Sequence, residues 1–65
     1  MDAVLVRLVE RREYEVLQEN AMAMGYSVDA RKVDAPVARP FEVRIHGVTV
    51  EQAAALADGF DVEIS

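Results

Sequence analysis

Asp61 and Glu63 stand two residues apart in a segment where apolar and polar residues alternate. That spacing sets two carboxylates on one face of a strand, where a pair could work as acid and base or hold a hard cation. His46 is the only histidine, and beside Glu42 or Glu63 its imidazole could act as a general base or ligate a metal. No second imidazole and no cysteine exists to complete a transition-metal site or to supply a thiolate. Ser27, Ser65 and Thr49 are the only aliphatic hydroxyls, and none stands in pattern with a base and an orienting acid. Gly25, Gly47 and Gly59 are isolated from one another and form no phosphate-cradling loop. The simpler reading makes Asp61 and Glu63 cross-strand ion-pair partners of Arg7 and Arg44, and His46 a solvated side chain at a strand end. No catalytic residue, cofactor or metal ligand is assigned, and the chain is expected not to be an enzyme.

The elements that carry these residues follow from the hydrophobic period. Val4, Val6 and Leu8 alternate with other residues over Ala3 to Val9, which predicts a short strand. A single helix from Asp2 to Met24 competes with it, because Leu5, Leu8, Val9, Val16 and Leu17 also recur at roughly helical spacing. From Arg11 the helical period is plain, with Tyr14, Leu17, Ala21 and Met24 on one stripe, predicting a helix over 11–24. Gly25 stops it in the left-handed conformation that only glycine adopts freely, and Tyr26 can close the last turn. Tyr26, Val28 and Ala30 then alternate with Ser27, Asp29 and Arg31 in a second strand that ends at Val33. Pro36 and Pro40 make 34–40 a loop. Phe41, Val43 and Ile45 form the third strand. Thr49 and Gln52 have capping-box spacing, so a second helix begins near Val50, with a stripe of Val50, Ala53, Ala54 and Ala57 and a stop at Asp58-Gly59. Phe60, Val62 and Ile64 alternate in a last strand.

A chain of 65 residues builds one core, so 1–65 is read as a single small domain. The order strand-helix-strand-strand-helix-strand predicts an α+β fold, a two-layer sandwich of ferredoxin-like βαββαβ connectivity with two helices on one face of a four-stranded antiparallel sheet. The fallback is a continuous N-terminal helix with a three-stranded ββαβ remainder. In the first arrangement Val4, Val6, Leu8, Val28, Phe41, Val43, Ile45, Phe60, Val62 and Ile64 meet the helices. Arg7, Asp29, Arg31, Glu42, Arg44, His46, Asp61 and Glu63 are left on the open face.

That open face argues against nucleic acid. All four aromatics, Tyr14, Tyr26, Phe41 and Phe60, are assigned inward, leaving no ring for base stacking. Twelve acidic residues against seven basic ones give a net charge of −5, which repels phosphate and anionic lipid. Apolar runs such as Ala3 to Val6 and Ala53 to Ala57 are far short of the roughly 20 residues of a membrane span, and charges occur throughout residues 1–20. The expected setting is the cytoplasm, or the host cytoplasm or virion if the chain is phage-encoded. Six arginines against one lysine, with abundant alanine and valine, suit a GC-rich bacterial coding sequence or that of its phage. Hydrophobic content of 52% with 29% charged residues reads as globular. By elimination the sequence points to binding of another protein, or of a second copy of itself, in an accessory, regulatory or assembly role. The residues offered for it are Arg7, Arg31, Arg44 and His46 on the open face, with Leu5 and Met22 as apolar residues outside the core pattern.

Val4-Leu5-Val6-Arg7-Leu8, an amphipathic helix, and then Gly25-Tyr26-Ser27-Val28 resemble the strand, first helix and turn of ribbon-helix-helix repressors and antitoxins. The resemblance covers residues 4–28. It implies an obligate dimer that reads DNA with the polar face of its strand, which here places Leu5 and Arg7 toward the groove. The chain departs from that family in three ways: Asp34 and Pro36 cut the second helix short, one DNA-facing position is leucine, and the net charge opposes phosphate contact.

Overall fold

The computed structural model describes residues 2–65. Its elements run β1 (Ala3–Leu8), α1 (Arg11–Ala23), β2 (Val28–Lys32), β3 (Phe41–His46), α2 (Val50–Leu56) and β4 (Val62–Ile64). The strands form one antiparallel sheet in the order β2-β3-β1-β4, the ferredoxin-like arrangement. The competing N-terminal helix is not formed. Val4, Val6 and Leu8 all point to the helix side and are almost fully buried, a use of period-2 alternation that a helix would forfeit.

Burial follows position in the sheet. β1 and β3 are central, and Val6, Leu8, Val43 and Ile45 are completely buried between them and the helices. Leu17 and Ala21 of α1 and Ala53 of α2 close the core from the other layer. Tyr14 stacks at a tilt on Phe41, with ring centroids 5.0 Å apart, and Tyr26 and Phe60 also pack against the core. The open face carries no aromatic ring among the described residues. β2, at an edge, is polar along most of its length, with only Val28 half-buried and Ala30 exposed. Tyr26, Ser27 and Val33 lie outside that strand.

Each helix differs from its expected stripe at one end. In α1 the chain leaves the helix at Met24, which is 65% exposed, so Met24 covers nothing. The Gly25 N–H donates to the Met22 carbonyl and the Tyr26 N–H to the Ala21 carbonyl, the paired bonds of a Schellman turn. Gly25 has φ +87° there, and Tyr26 takes the covering place expected of Met24. In α2 the capping box forms as the sequence predicts: the Gln52 N–H donates to Thr49 Oγ1 at 3.1 Å and the Thr49 N–H to Gln52 Oε1 at 2.8 Å. Val48, just before the cap, is buried with Ala53, the two positions of a hydrophobic staple. Val48 thereby fills the sheet-facing place at that end, and Val50 is left 54% exposed. The stripe is Ala53, Leu56 and Ala57, and Ala54 is exposed. At the other edge β4 is only three residues long, with Phe60 and Asp61 preceding the strand.

The ribbon-helix-helix topology is not adopted. Residues 28–32, where its second helix would begin, form β2, and β1 is paired on both sides, by β3 and β4.

Candidate functional site

The open face is positioned by register. Arg7 of β1 lies opposite Glu42 of β3 and opposite Glu63 of β4, and Arg31 of β2 lies opposite Glu42 from the other side. Opposite charges thus meet on adjacent strands at the distances where side chains interact. Arg31 Nε donates to Glu42 Oε1 at 2.9 Å, a short charge-assisted hydrogen bond. Arg7 spans Glu42 and Glu63 with two longer contacts of 3.4 Å. Glu42 is the hub, and its side chain is only 12% exposed. The hydrogen bond from Arg31 holds its carboxyl below the ordinary value of 4.5; burial opposes that shift, and the charges of Arg31 and Arg7 reinforce it.

His46 is bound differently from its expected neighbourhood. Its Nε2 lies 2.7 Å from Asp29 Oδ2 on β2, and neither Glu42 nor Glu63 is its partner. The reason is register: Asp29 is opposite Arg44, two residues along β3 from His46 and on the same face, while Glu63 lies two strands away. Asp61 is also differently partnered. It precedes β4, where Arg39 of the 34–40 loop binds its carboxylate at 2.8 Å and its carbonyl at 2.9 Å. The Asp61 N–H donates to Glu13 of α1 at 3.1 Å, so this residue ties loop, helix and strand entry together.

Arg44 receives neither of the acids expected for it. β4 borders β1, not β3, so Glu63 reaches Arg7 only, and Arg44 lies across from Leu5 on one side and Asp29 on the other. Asp29 turns to His46. Arg44 is exposed and has no ion-pair partner among the described residues. Beside it a shallow depression of about 190 Å³ is lined by Leu5, Asp29, Ala30, Arg31, Glu42 and Arg44.

Of the six residues singled out from the sequence, the fold brings Leu5, Arg7, Arg31, Arg44 and His46 onto this face. Met22 stands apart, 63% exposed on α1 in the other layer. Sequence reasoning missed Arg39 altogether and gave Glu42 no special place. Glu42 is the only acid of β3, a signal that acquires meaning once β3 is known to be central. Among the described residues no group of three or more His, Asp or Glu side chains is placed to hold a metal ion. No helix among them is long and apolar enough to cross a membrane.

Comparison with known proteins finds no matching family, no matching curated protein and no matching solved structure.

Proposed function

We propose that the chain is a small non-catalytic protein-interaction module that binds an acidic, extended segment of another protein across the open face of its sheet. One observation carries this reading: Arg44 is an exposed cation with no ion-pair partner among the described residues, on a face where Arg7 and Arg31 are paired with Glu42 and Glu63. A carboxylate from a partner would supply the bond that Asp29 and Glu63 do not, and Leu5 beside it offers apolar surface. Such a guanidinium recognises a planar carboxylate in two-pronged fashion, which favours side-chain acids over a diffuse negative field. The acidic net charge of the whole chain keeps nucleic acid away from the same arginine.

The test is selection of random ten-residue peptides on the immobilised chain, in parallel with Arg44→Glu. The expected result is enrichment of Asp- and Glu-bearing peptides on the native chain and its loss in the variant. Enrichment that survives charge reversal, or no acidic enrichment at all, would overturn the reading. Salt-sensitive retention on DNA would do so in favour of a nucleic-acid role.

A further inference from the structure

The free edge of β2 carries a pattern that is complementary to itself. The His46 N–H donates to the Ser27 carbonyl at 3.0 Å and the Val33 N–H to the Pro40 carbonyl at 2.7 Å, which fixes the phase of the β2–β3 ladder. Ser27, Asp29, Arg31 and Val33 therefore turn their backbone groups inward to β3. By alternation Val28, Ala30 and Lys32 turn theirs outward, to the side where no strand of this chain pairs. An unpaired row of this kind is a template for another strand.

A second copy of β2, turned antiparallel about a two-fold axis at Ala30, meets three requirements together. Ala30 pairs with Ala30 of the other copy, and Val28 with Lys32, so every outward backbone group finds a partner. Asp29 then falls opposite Arg31, twice by symmetry, in the non-hydrogen-bonded positions where side chains are closest, about 4.5 Å between Cα atoms. Both residues stand on the open face and both keep free bonding capacity. His46 engages only Oδ2 of Asp29, and Glu42 engages only Nε of Arg31. On the helix side the exposed Ala30 presents no bulk, and the Lys32 stem can lie over Val28. Charge selects this register from its neighbours. An axis at Asp29 or Arg31 sets like charges against each other, and an axis at Val28 or Lys32 brings Asp29 against Ser27 or Arg31 against Val33.

We infer that the chain self-associates as a two-fold dimer through antiparallel β2–β2 pairing centred on Ala30, joining two four-stranded sheets into one of eight strands. The inference goes beyond the open-face reading, since it uses the edge of the sheet and commits the partner to a second copy.

Sedimentation velocity on the full chain over a hundredfold concentration range tests it. The native chain is expected to pass from monomer to dimer. Ala30→Pro removes an N–H that bonds nothing within the chain and is expected to remain monomeric, with the circular-dichroism spectrum unchanged. The decisive pair is Asp29→Arg and Arg31→Asp. Each alone sets like charges opposite each other and is expected to weaken dimerisation by about tenfold or more. Mixed in equal amounts they restore both opposite-charge pairs and are expected to associate as a heterodimer. A native chain that stays monomeric throughout would overturn the inference, as would a dimer that persists in both Ala30→Pro and the single charge variants. Failure of the mixture to associate when the native chain dimerises would overturn the register. A monomeric chain that still selects acidic peptides through Arg44 loses the edge proposal and keeps the open-face reading; a dimer that selects none does the reverse.

Discussion

The two edges of the sheet are built to opposite ends. β2 is five residues long, and Asp29 and Arg31 flank Ala30 with opposite charges, so an antiparallel copy about Ala30 sets each against its opposite. β4 is three residues long, and its one polar residue is the acid Glu63. Reciprocal bonds of 2.9 Å between Leu5 and Ser65 set its phase, with Val62 and Ile64 turned outward. An antiparallel copy about Glu63 would set Glu63 against itself, and one about Val62 would set it against Asp61. Short length and like charge are the usual guards of a free edge, and β4 has both. Whether an edge is open to a copy of itself thus depends on the order of charges along it, which composition alone does not reveal.

The largest expected effect removes both edges at once. Leu8 is completely buried in β1, between β3 and β4, and Leu8→Ala is expected to cost about 2–5 kcal/mol in urea unfolding. Amide exchange should then rise together in β2 and β4; protection lost at β4 alone would mean that the edges unfold independently. Smaller costs separate the two sides. Gly25→Ala, ahead of β2, forces a methyl side chain into φ +87° with nothing within 4 Å to clash, so the expected 1–2 kcal/mol, roughly, is backbone strain alone. Thr49→Ala, at the start of the helix leading to β4, removes the capping box for about 1 kcal/mol. Both are read from urea midpoints, and a Thr49→Ala loss exceeding that of Gly25→Ala would reverse the ranking.

Acid should act through Glu42, the carboxylate shared by Arg31 of β2 and Arg7 of β1. Glu42 titrates below 4.5 when folded, so its contribution is complete above that value and is lost as pH falls through the lowered pKa. Urea midpoints measured from pH 6 downward are expected to show an acid limb that flattens in Glu42→Gln. An identical limb in the variant would assign the acid sensitivity to other carboxylates. The smallest effect belongs to β4: Glu63→Gln lifts the like-charge guard, and sedimentation is expected not to change because three residues offer too few backbone bonds. New association through that edge would show that charge was its main protection.

Much of this molecule is legible in its sequence, and what is not has a common cause. The strict alternation of Phe41–His46, the Gly25 stop and the Thr49/Gln52 capping box are local patterns, and each forms where the residues say it does. The errors fall where a neighbour distant in sequence decides. Val50 is left out because Val48 already covers that end of the sheet, and Met24 because Tyr26 closes the turn. The open face was legible as a set of charges but not as a set of pairs. Register gives Glu63 to Arg7, Asp29 to His46 and Asp61 to Arg39, and it thereby frees Arg44. No single-residue property of Arg44 distinguishes it from Arg7 or Arg31.

The central place of β1 also sets the order in which the chain can fold. Arg31 and Glu42, joined across β2 and β3, are 11 residues apart, whereas Arg7 is 35 residues from Glu42 and 56 from Glu63. Loop-closure entropy makes the β2–β3 hairpin the first contact within reach and the docking of β1 the slow one. Substitutions in β2 and β3 should therefore slow refolding, while those confined to β4 should mainly hasten unfolding, a division that stopped-flow chevrons would read directly. During that interval the β2–β3 hairpin exists without its central strand, and the surface it later buries under β1 is the one most exposed to a second unfinished chain.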